Sequence, residues 1–221
     1  MLNADHGAPP APGISPTTAS THYQYLQPTF SNSISPYVIS PLLAADRADP
    51  RGTTFYYLAF TTLFYTHDGG ATWHQGASGP NFPAFVAHTQ LLSNPATMGD
   101  LWLVFTRNAN DLRVNQLYHS TDGGLTFGAV PGVPSCDHAT FGAPTTAGGP
   151  PTLFIAGRVG SDTADALYRS PDLGRSWTRI GNPASEAFPG IQTLEGDMRS
   201  PGLLYVGLAG RGVLYGSPGR G

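Results

Sequence analysis

Charged side chains are scarce in this chain of 221 residues, making up 11% of it, with 11 Lys+Arg against 14 Asp+Glu. An average globular domain carries about 25%. The net charge of -3 gives no reason to expect a nucleic acid or an anionic membrane as partner. A surface this poor in charge suits a neutral ligand or burial under more protein, and composition does not decide between the two.

Cysteine is nearly absent, since Cys136 is the only one, and this excludes an intrachain disulfide framework. We interpret Cys136 as a buried structural thiol because no oxyanion or base motif accompanies it. The seven histidines show none of the paired spacings of metal sites. We therefore expect neither a metal nor a cofactor.

Long hydrophobic runs are also missing, and no stretch approaches the roughly 20 apolar residues of a membrane span. The segment 1–7 has neither the basic residues nor the apolar run of a signal peptide. Taken literally, the sequence predicts a soluble chain that is not exported. The alternative is that its true beginning lies upstream.

Glycine and proline are abundant, with 28 and 21 residues, as expected for short strands joined by tight turns. Three segments repeat the pattern Ser/Thr-x-Asp-x-Gly-x-Ser/Thr-Trp/Phe, which is called the Asp-box or BNR repeat. Their aspartates, Asp68, Asp122 and Asp172, lie about 50 residues apart. Three such octapeptides in register are a strong signal of an internal repeat.

The residues of the box predict a stapled β-hairpin. An alternating strand leads into the box, Asp accepts hydrogen bonds from backbone N–H groups of the turn, and Gly permits a positive φ. The closing aromatic ring is buried under the turn. We interpret the box residues as structural and not catalytic. They are Thr66, Asp68, Gly70, Trp73, Ser120, Asp122, Gly124, Phe127, Ser170, Asp172, Gly174 and Trp177.

Each box closes a unit of about four antiparallel strands, which is a β-propeller blade. The sequence thus predicts an all-β, partial propeller of about 3.5 to 4 four-stranded blades. The predicted blades cover about 36–80, 84–134, 137–184 and 189–217. Residues 1–35 are expected to be linker or irregular structure with an orphan strand at 23–27, and 218–221 to be a tail.

A closed propeller needs about four to eight blades, so an open arc would leave two blade faces exposed. Three outcomes are possible. The N-terminal strand could close a four-bladed ring, another chain could complete the arc, or the chain could be a fragment of a longer protein. We favour the fragment, which would need further blades or self-association.

The order of several elements resembles the closing part of glycoside hydrolase family 74, the xyloglucanases and reducing-end-specific cellobiohydrolases. The resemblance extends from about Leu42 to Gly216. It is carried by the segments 45–50, 99–103, 119–127, 141–142, 167–172, 196–197 and 204–216.

This resemblance implies two propellers that clasp a glucan, and an inverting mechanism with one aspartate from each propeller. Both family aspartates occupy Asp-Ile-Gly-Gly-like segments with no equivalent here, so the catalytic residues are unknown. We interpret Asp197 as a turn residue. We expect the isolated chain to be inactive and to contribute substrate cleft and scaffold. Trp102 and Phe82 are the candidates for stacking on sugar rings.

A non-catalytic propeller that binds a protein or a glycan is the main alternative. Sialidase activity is a weaker one, because the scattered arginines form no cluster for a substrate carboxylate. The chain gives no localisation of its own. The family resemblance implies an extracellular protein with a polysaccharide partner, β-glucan or xyloglucan, if the chain is a fragment.

Overall fold

The computed structural model describes residues 42–59, 62–78, 89–106, 115–181, 190–210 and 212–216. Within these ranges the chain forms strands and turns, and none of them contains a helix of the length and apolarity that a membrane crossing requires. The predicted linker at 1–35 with its orphan strand at 23–27, the tail at 218–221, and Phe82 lie outside the described residues.

Four antiparallel sheets follow one another along the chain. The first sheet contains β1 (Leu42–Ala45), β2 (Phe55–Ala59), β3 (Thr62–Thr66) and β4 (His74–Ser78). The second contains β5 (Thr89–Ser93), β6 (Leu101–Thr106), β7 (Asn115–Ser120) and β8 (Gly128–Ala129). The third contains β9 (Ser135–Gly142), β10 (Thr152–Arg158), β11 (Ala166–Ser170) and β12 (Thr178–Ile180). The fourth contains β13 (Ile191–Gly196), β14 (Leu204–Leu208) and β15 (Gly212–Gly216). The all-β prediction is confirmed.

The second strands of the first three sheets are buried on both faces, and successive side chains of a strand point to opposite sides. In β6, Trp102 and Val104 belong to a core shared with the third sheet, whereas Leu101 and Leu103 belong to a core shared with the first. A third core joins the third and fourth sheets and includes Phe154. This two-sided burial explains why these strands read as continuous apolar runs.

The first strand of each following sheet carries the contact between sheets. β5 contacts β1, β9 contacts β5, β6 and β7, and β13 contacts β9 and β10. The backbones approach closely at the last of these contacts, where the amide of Ala143 donates to the carbonyl oxygen of Asp197 at 2.7 Å. The first strands of the four sheets therefore pack against one another in chain order.

Because consecutive strands of each sheet are antiparallel, the turn between the first and second strands lies at the same end of the sheet as the turn between the third and fourth strands. The Asp-box turns lie beside the turns between first and second strands, and the amide of Gly123 donates to the carbonyl oxygen of Gly99 at 3.0 Å. At the opposite end, the amide of Gly160 donates to the carbonyl oxygen of Gly132 at 2.8 Å. This second end, away from the Asp-boxes, holds the loop 159–165.

Candidate functional site

The second Asp-box shows the geometry of all three. The hydroxyl of Ser120 donates to Oδ1 of Asp122 at 2.8 Å and accepts from the amide of Gly124 at 2.9 Å. Thr126 donates its amide to Oδ1 of Asp122 at 3.0 Å and its hydroxyl to Oδ2 at 2.6 Å. Both carboxylate oxygens are therefore occupied by the turn that the aspartate closes.

The first and third boxes repeat this network. Asp68 accepts from the amide of Thr72 at 2.9 Å, and Asp172 accepts from the amide of Ser176 at 2.8 Å. The hydroxyl residues that begin the boxes are buried, and they are Thr66, Ser120 and Ser170. Because the same bonds recur in three turns, they support the interpretation that the box holds a hairpin together.

Hydrogen bonding keeps the box carboxyls ionised. The hydroxyls of Thr66 and Thr72 lower the pKa of Asp68, and the hydroxyl of Ser176 lowers that of Asp172. At Asp122 desolvation acts in the opposite direction, but the bonds from the box outweigh it and the pKa is lowered. A general acid needs a raised pKa near the working pH, so these aspartates are poorly suited to protonate a leaving group.

The expectation that Trp102 stacks on a sugar is wrong. Its side chain is 0% exposed and lies in the core between the second and third sheets, edge-on to Phe141 with ring centroids 6.4 Å apart. Its Nε1 donates to Oδ1 of Asp100 at 2.7 Å, and its ring stacks on His119 at 4.0 Å. A tryptophan with no accessible surface contributes core packing instead of a glycan contact.

Buried aspartates near the Asp-boxes are the residues that sequence reasoning missed. Asp46 accepts from the hydroxyl of Tyr56 at 2.8 Å and from the amide of Gly99, in the next sheet, at 2.8 Å. Asp49 accepts from the backbone amides of Arg51, Thr53 and Thr54, and its pKa is lowered by the first of these bonds. The sequence just before β2 predicts a turn at these aspartates, but it does not indicate the hydrogen bond that Asp46 accepts from Gly99 in the next sheet.

The end opposite the Asp-boxes carries a cluster of charged groups on the third sheet. Arg158 pairs with Asp165 at 3.2 Å, and Arg179 pairs with Asp162 at 3.6 Å. The hydroxyl of Tyr168 donates to Asp162, and burial together with this bond raises the pKa of Tyr168 to about 12. Both carboxylates of this loop therefore have an arginine partner.

Asp197 lies in a hydrogen-bonded turn between β13 and β14. Asp197 accepts from the amides of Arg199 and Ser200 at 2.7 and 2.8 Å, and these bonds lower its pKa. That is the geometry of a turn residue. Asp111 and Glu186 lie outside the described residues.

Metal-ligating side chains are dispersed over the described ranges, where no three His, Cys, Asp or Glu come together. Cys136 is fully buried, and desolvation raises its pKa well above the ordinary value. A thiol held in its neutral form is a weak nucleophile.

Several known proteins are similar to this chain in sequence. No family model matches the chain. An oligoxyloglucan-reducing end-specific xyloglucanase from Emericella nidulans is 32% identical over 183 residues, which is 80% of this chain and 21% of that protein. A xyloglucanase from a Paenibacillus species is 30% identical over 174 residues, 79% of this chain and 16% of that protein.

A solved structure shows the same fold. The family 74 xyloglucanase from Xanthomonas campestris superimposes with a TM-score of 0.60 at 26% identity, over 80% of this chain and 24% of that one. The prediction of a partial propeller is confirmed. The chain spans about a fifth of the length of the Emericella relative. It is therefore homologous to a part of the xyloglucanases of glycoside hydrolase family 74, and the resemblance found in its sequence is confirmed.

Proposed function

We propose that this chain forms part of the substrate-clasping propeller of a xyloglucan- or β-1,4-glucan-active glycoside hydrolase. It contributes cleft and scaffold and not the catalytic pair. The observation that carries this proposal is the 32% identity to a xyloglucanase over 80% of the chain. The shared fold supports it, because the same sheets are found in a second xyloglucanase.

The glycan contacts the end of the sheets away from the Asp-boxes. The Asp-box end is occupied by hydrogen-bonded turns such as the one at Asp122, whereas the opposite end presents the exposed carboxylate of Asp165 and the half-buried guanidinium of Arg158. Phe82 belongs to the segment between Ser78 and Thr89, whose two ends lie at this side. A ring there would stack on a sugar face.

Hydrolysis requires an acid and a base about 6.5–9.5 Å apart in an inverting enzyme. The described carboxylates with shifted pKa values are held ionised by backbone or hydroxyl donors, as at Asp68 and Asp197. This supports a chain that binds substrate without cleaving it. Because the substrate is a polymer that does not cross membranes unaided, we place the full-length protein outside the cell.

Affinity electrophoresis tests the proposal. The purified chain should be retarded in a native gel that contains xyloglucan and should migrate normally in a gel that contains pullulan. Phe82→Ala should weaken retardation about tenfold because it removes a stacking ring, while Phe82→Tyr should preserve it. Equal migration in both gels would refute glycan binding, and reducing sugar released above a blank would refute the non-catalytic role.

A propeller that binds another protein is the second candidate. The low content of charged residues, 11%, is as compatible with a protein partner as with a neutral glycan. Retardation in xyloglucan distinguishes the two, because a propeller that binds only proteins should migrate equally in the gels with xyloglucan and with pullulan.

A further inference from the structure

Two of the three Asp-boxes contain the dipeptide Asp-Gly, at residues 68–69 and 122–123, whereas Leu173 follows the aspartate of the third. Asp-Gly is chemically labile in a flexible chain, because the glycine has no side chain to hinder attack by its amide nitrogen on the aspartate. The aspartates of both dipeptides are exposed, so water reaches them. The first two boxes therefore hold the reactants of an aspartate isomerisation.

The isomerisation runs in two steps and needs only water. The glycine nitrogen forms a bond to Cγ of the aspartate, and the carboxyl hydroxyl leaves as water with the amide proton. Water then opens the resulting succinimide ring. When it attacks the original main-chain carbonyl, the glycine stays bonded to Cγ and the product is isoaspartate. The main chain is then one carbon longer, and the carboxylate is no longer placed to close the turn.

The attacking amides are engaged in hydrogen bonds between neighbouring turns. The amide of Gly69 donates to the carbonyl oxygen of Thr53 at 2.8 Å, and the amide of Gly123 donates to that of Gly99 at 3.0 Å. These bonds fix the orientation of each peptide group and retain the proton that it loses on ring closure. The nucleophile is therefore restrained in both boxes.

The carboxyl groups are restrained as well. Asp122 accepts from the hydroxyl of Ser120 and from both the amide and the hydroxyl of Thr126. The first box has the same three bonds at Asp68. The side chain must break these bonds and rotate before Cγ reaches the nitrogen of the following glycine.

We propose that Asp68 and Asp122 are latent sites of isoaspartate formation, which the Asp-box hydrogen bonds keep closed while the hairpins are intact. Opening a box frees the carboxyl group, so the rate of isomerisation follows the population of the opened turn. Asp172 has the same hydrogen-bond network, but the side chain of Leu173 hinders attack even when the turn is open. The third box is therefore an internal reference for the other two.

Peptide mapping of the chain after ageing at neutral pH tests the proposal, because chromatography separates isoaspartyl from aspartyl peptides of equal mass. In the folded wild type, isoaspartate at Asp68 and Asp122 should accumulate at least about tenfold more slowly than in guanidinium chloride, since the turn must first open. In the denaturant, Asp172 should remain far below both.

Single substitutions assign the protection to each box. Thr126→Val removes the hydroxyl that donates to Asp122 at 2.6 Å. Isoaspartate at Asp122 should then form about tenfold faster, the factor expected for a hydrogen bond to a charged group. Asp68 in the same molecule should keep its wild-type rate. Thr72→Val, which removes the hydroxyl bond to Asp68, should give the reverse result.

Ser176→Ala is the matched control in the third box. It removes the corresponding hydroxyl bond to Asp172, and isoaspartate should stay near the wild-type level because Leu173 hinders attack. Equal rates in the folded and the unfolded wild type would overturn the proposal. So would a substitution in one box that raises both Asp-Gly sites together, or isoaspartate at Asp172 equal to that at Asp122.

Discussion

At the scale of single residues, the surroundings of each aromatic ring decide what it does. Trp102 and Trp177 are the same residue type in neighbouring sheets, yet Nε1 of Trp102 donates to Asp100 at 2.7 Å, whereas the buried Nε1 of Trp177 has no hydrogen-bond partner among the described residues. Phe127 occupies the position of Trp177 in the second Asp-box. The indole N–H is therefore needed at one position and dispensable at the other.

Replacing both tryptophans by phenylalanine measures this difference. Trp102→Phe should lower the free energy of unfolding by about 2–3 kcal/mol, because it leaves the buried Asp100 short of a donor and opens space in the core. Trp177→Phe should cost less than about 1.5 kcal/mol. Urea unfolding of the two variants checks the order, and equal losses would contradict the assigned hydrogen bond.

Acid sensitivity also belongs to individual side chains. The pKa values of Asp68, Asp122 and Asp172 are lowered in the folded chain, so the fold binds fewer protons than the unfolded chain. Their contribution to stability is present above the unfolded value of about 3.9 and is lost as the pH falls below it. Thermal midpoints should be level above about pH 5 and decline below pH 4.

The asparagine variant Asp122→Asn provides the control for this acid decline. It removes one titrating group, so its midpoint should be lower than that of the wild type at neutral pH and should change less with acid. A variant whose decline matches that of the wild type would show that Asp122 does not contribute to it.

At the scale of sheets, the contact between β9 and β13 depends on the absence of a side chain at Gly196. A Cβ at this residue would lie 2.6 Å from the carbonyl oxygen of Phe141 and 2.9 Å from Cα of Gly142. Backbone cannot move aside as a flexible side chain can, so the third and fourth sheets would have to separate.

Gly196→Ala should therefore lower the free energy of unfolding by about 1–3 kcal/mol. Gly128→Ala is the matched change in β8, where a Cβ would meet nothing within 4 Å, and it should stay within about 0.5 kcal/mol of the wild type. Comparison of the two unfolding midpoints is the measurement. Equal stability of the two variants would refute the close approach of the sheets.

Sequence patterns predict the sheets better than the contacts between them. The Asp-box turns depend on bonds within five residues, such as the amide of Thr126 to Asp122, and a local motif carries that information. Even Leu173, which replaces the glycine found in the other two boxes, keeps a positive φ of 57°. By contrast, Gly99 donates to Asp46 across 53 residues, and no local pattern indicates such a pair.

The error at Trp102 has the same cause. The sequence shows an aromatic residue in a strand, but its burial depends on the sheet that follows, where Phe141 contacts the indole ring. A prediction of glycan stacking needs the exposed surface of the ring, and that quantity exists only once the sheets are packed.

At the scale of the whole molecule, three successive cores join four sheets, and the chain corresponds to about a fifth of a longer xyloglucanase. We propose that this part binds the polysaccharide without cleaving it. Under the proposed function, binding and cleavage are separable, because this chain supplies scaffold and cleft and the catalytic carboxylates belong to other segments of the longer protein.

Isothermal titration of the purified chain with a xyloglucan oligosaccharide, followed by a count of reducing ends in the same sample, tests this claim most directly. We expect a heat of binding and no new reducing ends. A titration without a heat of binding would contradict the proposed cleft, and new reducing ends would contradict the proposed absence of a catalytic pair.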